Sequence, residues 1–152
     1  MEVKRFEKAD VPAVIAFEQE VRRQEPDTYF WEPDEAYARQ LEQSFADPRF
    51  NTAISYLALR DGSVIGRIDA SVITSRSDAA CCSVYLDWIC VLKSERHRRV
   101  AQVLLNALRA ECKKQGAGLL IALMAANEEA QRFYRSVEGA SIHDTGIWIE
   151  IN

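Results

Sequence analysis

The sequence has no apolar run approaching the ~18 residues that a membrane-spanning helix requires. Its first ten residues, MEVKRFEKAD, hold no apolar stretch of the kind a secretory leader carries. Glycine and proline are scarce, six and four among 152 residues, which excludes a collagen-like or Pro/Gly-rich disordered chain. No repeat or low-complexity tract is present. Cys81, Cys82, Cys90 and Cys112 form no C-x-x-C pair, and only His97 and His143 remain to complete a metal shell. The expectation is therefore no metal. Adjacent Cys81 and Cys82 disfavour a simple bridge between them, so four reduced thiols are expected, with Cys90 and Cys112 as small core residues. A cytoplasmic protein without membrane association is the default expectation.

What is present is ordinary globular composition: 48% hydrophobic and 28% charged residues. The length fits one domain, expected over residues 2–151. A chain of this size buries ~70% of the surface its unfolded form exposes, enough to fold unaided. The net charge of −4 hides an asymmetry. Residues 1–50 carry 12 acids against 7 bases, whereas residues 93–115 carry 7 bases against 2 acids. One compact basic segment in an acidic chain points to a local anionic ligand. A nucleic-acid binder is usually basic over a larger face, so no nucleic-acid partner is expected.

Residues 2–6 alternate as a short strand. Asp10 is a candidate N-cap, with Pro12 in the first turn. Val14, Phe17 and Val21 predict a helix to about Gln24, which Pro26 ends. Residues 34–45 predict a second helix, with Tyr37, Leu41 and Phe45 on one stripe. Strands follow over 51–60 and 63–74, joined by the Asp61-Gly62 turn. A polar loop is expected over 75–80 and a third long strand over 82–92. Val100, Leu104 and Leu108 predict a helix stopped by Gly116. Residues 119–125 read as a buried parallel strand, 128–137 as a helix, and 141–151 as a final strand. The strand–helix–strand unit over 82–125 takes a right-handed crossover, and ligands of such sheets bind beyond the strands' carboxyl ends. The basic segment lies at that edge.

Residues 91–105, VLKSERHRRVAQVLL, run from a strand end through a polar loop into a helix. A helix N-terminus with free N–H groups suits a pyrophosphate, and Arg96, His97, Arg98 and Arg99 add charge there. The alternative is a solvated basic loop. Asp87 lies in an otherwise apolar stretch, VYLDWICV. It is the candidate base for an amine; the alternatives are an ion pair with a neighbour such as Arg67, or a water relay in its place. Residues 25–37 are acidic and aromatic. Glu25, Asp27, Glu32, Asp34 and Glu35 suit a cationic amine, with Tyr29, Phe30 and Trp31 packing its skeleton. The alternative is a helix start with acids at its N-terminus. Trp88 and Trp148, in strands, read more simply as core.

The element order and two segments of this chain resemble the GNAT family of N-acetyltransferases. Arg96-His97-Arg98-Arg99-Val100-Ala101 is similar to that family's [Q/R]-x-x-G-x-[G/A] pyrophosphate loop, with Arg99 in place of the central glycine. Asn127, Ala130, Phe133 and Tyr134 are similar to its second block, which here ends Gly139-Ala140 instead of Gly-Phe. The resemblance spans about residues 2–151. It implies an α/β (α+β) fold: a mixed, mostly antiparallel sheet with a central parallel β-α-β unit and helices on both faces. It implies acetyl-CoA as co-substrate, held by the backbone of Ile89, Cys90 and Val91 and by Arg96, His97, Arg98, Arg99, Val100, Ala101, Gln102 and Asn127. Tyr134 resembles the family's general acid; its alternative is a half-buried helix tyrosine. Asn127 reads equally as an N-cap.

The activity so implied is direct acetyl transfer to a primary amine, on a small molecule or peptide, in a ternary complex, since no cysteine sits where a covalent carrier would. A non-catalytic acyl-CoA-binding module and, less favoured, a nucleic-acid-binding domain are the rivals. Monomer and homodimer both remain open. In the loop, a left-handed arginine at position 99 would cost ~1–2 kcal/mol where glycine costs little.

Overall fold

The computed structural model describes every residue except Phe30, Ser77, Asp144, Thr145, Trp148 and Asn152, and only the backbone of residues 78–81. The expected roles of Phe30 and Trp148 lie outside the described residues. The chain divides into two compact units, Met1–Ile121 and Ala122–Asn152.

The first unit begins with β1 (Glu2–Arg5) and α1 (Val11–Gln24). Pro12 sits in the first turn of α1, where a missing N–H costs nothing. The Asp10 side chain does not cap α1; it accepts from Glu7 N at 3.0 Å and from Lys4 Nζ at 2.9 Å. Val11, Val14, Phe17 and Val21 are buried on one stripe of α1, each contributing ~1.5–3 kcal/mol by leaving water. Helix α2 (Glu35–Ser44) starts where Asp34 accepts from Tyr37 N at 2.8 Å.

Strands β2 (Ala53–Arg60) and β3 (Ser63–Ser75) form the expected hairpin. Asp61 and Gly62 take φ of 50° and 80°, the left-handed pair that a two-residue turn requires. Strand β4 (Asp78–Val91) is longer than expected. Pairing with β3 continues to Ser75↔Asp78, so the polar stretch after Ser75 is mostly strand, because cross-strand hydrogen bonds outweigh its loop composition.

Helix α3 (Val100–Lys114) leads to β5 (Ala117–Ala122). The sheet order is β1-β2-β3-β4-β5, antiparallel except for the parallel β4–β5 pair, which completes the β-α-β unit. Helices α1 and α3 cover opposite faces of β3. Arg67 meets Glu18 of α1, while a Cβ on Gly66 would lie 3.0 Å from Val100 and 3.1 Å from Leu104 of α3.

Two strand expectations need correction. The parallel strand expected over 119–125 forms over Ala117–Ala122, but it is not buried: Leu119 is 58% and Ile121 41% exposed. Helix α3 packs mainly on β2, β3 and β4, leaving the last strand of the order without that cover. In the second unit, α4 (Glu128–Arg135) forms as expected, but none of the described residues from 141 to 151 is in a strand. Alternation alone cannot form a strand, which needs a hydrogen-bonded neighbour.

Candidate active site: a carboxylate cleft and an anion loop on one strand

The first unit holds a cleft of about 680 Å³ between α2 and the α1-facing side of β3 and β4. A bulge builds its wall. Asp69 pairs with Trp88 and Ala70 with Leu86, leaving Asp87 as the extra residue of β4. The extra residue breaks the alternation of faces, so that Asp87 and Trp88 both line the cleft although they are neighbours in sequence. Trp88 is thus a cleft wall that also packs against core residues, a correction to its reading as simple core.

The floor is a buried ionic network. Glu18, 1% exposed, accepts from Arg67 Nη1 at 2.5 Å, Trp31 Nε1 at 2.8 Å and Tyr37 Oη at 3.2 Å. Arg67 also meets Asp69, with Nε 2.7 Å from Oδ2 and Nη2 3.1 Å from Oδ1. Its guanidinium lies 5.0 Å from the Phe6 ring centre and 5.7 Å from that of Trp88. Burial alone would ease the proton off Arg67, but Asp69 and Glu18 outweigh it and raise its pKa. The Tyr37 hydroxyl is pushed up to about 12, by burial first and then by the Glu18 charge. Trp31 and Trp88 meet edge to face at 5.5 Å, so Glu18 fixes the aromatic wall from beneath.

Asp87 is not the partner of Arg67. Its carboxylate accepts from Ser71 Oγ at 2.8 Å. Its pKa is raised by loss of water in the cleft, opposed by the Ser71 hydrogen bond and helped by the nearby Asp69 charge. The acids of residues 25–37 are mostly committed elsewhere. Glu25 pairs with Arg96, Glu32 with Arg22 at 2.6 Å, Glu35 with Arg39 at 3.6 Å, and Asp34 caps α2. Arg22 and Gln19 of α1 hold this segment through Trp31 O at 2.7 Å and Pro33 O at 3.1 Å. Tyr29 turns inward to Cys90 Sγ at 3.2 Å; burial drives the tyrosine upward and the Cys90 thiol up to about 11. A thiol so held is a poor nucleophile.

Beyond Ile89, Cys90 and Val91 the chain turns into the basic loop. Glu95 is pinned to Arg60, and Arg96 to Glu25 at the end of α1. Arg96 Nη1 lies 3.0 Å from Glu25 Oε1, and its Nε donates to Val91 O at 3.4 Å. His97, Arg98 and Arg99 are exposed, with Arg98 3.8 Å from Glu95. Arg99 takes φ 63° and ψ 16°, and His97 takes φ 62°. Arg99 therefore keeps the left-handed backbone that a glycine would supply, at the residue where α3 begins, and α3 continues through Val100, Ala101 and Gln102. This turn leaves the first N–H groups of α3 without intrahelical partners, the arrangement that receives an anion.

In the second unit, Asn127 caps α4, its side chain accepting from Ala130 N at 2.8 Å. Tyr134 is half-buried and lies edge to face with Phe133 at 5.2 Å. Among the described residues no group of three or more His, Cys, Asp or Glu is placed to hold a metal, and no helix is long and apolar enough to cross a membrane.

Sequence reasoning missed Glu18 and Asp69. A signal existed for Glu18, which falls four residues after Val14 on the apolar stripe of α1. A charge there demands a buried partner.

Among solved structures, the fold is similar to an aminoglycoside acetyltransferase from an uncultured soil metagenomic sample, in complex with trehalose (TM-score 0.80, 16% identity, 99% of this chain and 96% of that one). It is similar to the 6′-N-acetyltransferase AAC(6')-IG of Acinetobacter haemolyticus (TM-score 0.76, 16% identity, 100% and 99%). It is also similar to a ribosomal-protein-alanine N-acetyltransferase of Brucella melitensis biovar Abortus 2308 (TM-score 0.74, 16% identity, 99% and 100%). No curated protein sequence matches the chain. The acetyltransferase (GNAT) family model matches residues 16–139. With most of its length, the anion loop and the second block inside that match, the chain belongs to the GNAT acetyltransferase family.

Proposed function

We propose that the protein is an acetyl-CoA-dependent N-acetyltransferase that moves an acetyl group to a primary amine by direct attack in a ternary complex. One observation carries the reading. Strand β4 places a carboxylate suited to an amine at Asp87 and, from Val91 on, leads into a loop suited to a pyrophosphate. The left-handed backbone at Arg99 supports this reading, because it keeps the conformation a glycine would supply just before the unpartnered first N–H groups of α3. Backbone groups of Ile89, Cys90 and Val91 would hold the pantetheine arm. Arg96, braced by Glu25, would keep the loop in shape, while His97, Arg98 and Arg99 add positive charge.

Acetyl-CoA supplies an acetyl group activated as a thioester. The protein's part is proton management and positioning. An ammonium must lose a proton before its nitrogen can attack, and Asp87 takes that proton. The new bond joins the amine nitrogen to the acetyl carbon, and the carbon–sulfur bond breaks. Tyr134 would give its hydroxyl proton to the leaving sulfur and be reprotonated through water by the second proton that the nitrogen sheds as the amide forms, and Asn127 would orient the start of α4 beside its capping role. The buried Cys90, its thiol pushed up, supports direct transfer over a cysteine-linked carrier.

Thermal-shift titration with acetyl-CoA, followed by thiol release across an amine panel, tests the reading. Ligand at a hundredfold excess over Kd adds about 2.7 kcal/mol of stability. Stabilisation without thiol release on any amine would replace the enzyme by a binding module.

A further inference from the structure

We infer that the acceptor is a small primary amine with a single ammonium on an apolar or aromatic skeleton, not a polycation; this rests on the acetyltransferase reading above. The charges lining the cleft carry it. Arg67 and Asp69 belong to the buried network, and Asp69 further accepts from Ser55 Oγ at 2.6 Å. Arg5 also lines the cleft, but its guanidinium pairs with Glu111 of α3 at 3.2 Å. Among the described residues, Asp87 is then the one lining carboxylate with no cationic partner, held by the Ser71 hydroxyl alone. One free carboxylate answers one ammonium. A second ammonium would find no second free acid among the described lining residues.

The rest of the wall combines neutral polar groups, from Tyr37, Gln40, Ser44, Asn51 and Ser55, with a large aromatic and aliphatic share. Phe6, Trp31, Leu41, Phe45, Phe50 and Trp88 line the same cleft as the carboxylate, and two of them are conspicuous: Phe45 and Phe50 are 41% and 50% exposed. Exposed phenylalanines cost free energy unless they meet an apolar ligand, and they suit an aryl or alkyl body. Trp31 and Trp88, locked by Glu18 and by each other, offer π faces or edges close to the ammonium. A volume of about 680 Å³ holds a small molecule of this kind.

The experiment compares phenylethylamine, spermidine, an aminoglycoside and a peptide with N-terminal alanine, by thiol release from acetyl-CoA and by calorimetric binding to the full chain without acetyl-CoA. The expected result is a kcat/KM for phenylethylamine at least about tenfold above each of the others, with the same order in binding. Asp87→Asn should weaken calorimetric binding of phenylethylamine about tenfold or more, and Phe50→Glu should shift preference toward spermidine. Phe50 is half exposed, so that variant tests selectivity without removing core packing. Better turnover or binding of spermidine, the aminoglycoside or the peptide overturns the inference and leaves the acetyltransferase reading intact. Failure of phenylethylamine to bind also overturns it. Selective binding of phenylethylamine with no thiol release from any amine upholds the cleft's assignment as a monoamine site and overturns acetyl transfer.

Discussion

The cleft and the anion loop sit at successive stretches of the same strand, yet they are built from different materials. The cleft is made of side chains over a buried floor, where Glu18, Arg67 and Asp69 answer one another beneath two tryptophans. The loop is made of backbone, with exposed side chains at His97, Arg98 and Arg99 and a left-handed turn at its end. A buried network is intolerant, because deleting one member strands the others without water. A backbone site is tolerant, because its donors belong to every residue type. Under the proposed reading, an arginine at position 99 keeps the left-handed backbone that a glycine would supply.

The comparison makes Arg67→Ala the most damaging change. Glu18 would be left in the core without its cation, and the expected loss is ~3–5 kcal/mol in chemical denaturation. A loss under ~1 kcal/mol would mean that the network is not a structural floor. Tyr134→Phe should lower kcat by roughly 10–1000-fold, about 1.4–4 kcal/mol in the barrier, with acetyl-CoA affinity little changed. Equal turnover across the pH range would make Tyr134 a packing residue.

Gly66→Ala probes the wall behind the cleft. A Cβ there meets Val100 Cγ1 at 3.0 Å, Leu104 Cδ1 at 3.1 Å and the Cys90 carbonyl at 3.2 Å. The Val100 and Leu104 side chains must give way slightly, and a loss of ~1–3 kcal/mol in unfolding free energy is expected. The mildest change is Arg99→Gly. Relief of the left-handed strain should offset glycine's greater entropy in the unfolded chain and raise stability by up to ~1 kcal/mol. Acetyl-CoA affinity should stay within about threefold if the backbone carries the site; a larger loss would assign the contact to the guanidinium.

The pH dependence sharpens the same contrast. Asp87 must be ionised to accept a proton, and its pKa is raised. Activity should fall on acidification at a pH above the ordinary aspartate value of ~3.9, and Asp87→Asn should remove that limb. A limb at or below that value would exclude Asp87 as the base.

Much of this protein was determined by its sequence alone. Helical stripes in α1, α2 and α3, the Asp61-Gly62 turn and the basic loop are local patterns, set by neighbours within a few residues. Their positions, and the two motif blocks, therefore follow from the order of residues. The partner of Asp87, the cleft role of Trp88 and the burial of Glu18 were decided by tertiary structure. Each depends on which strand lies alongside and on a bulge that shifts faces by one residue, and no spacing in the chain records that shift. Residues 119–125 and 141–151 show the same limit from the other side. Their apolar patterns state what the segments favour, while burial and strand pairing depend on neighbours that only the assembled fold supplies.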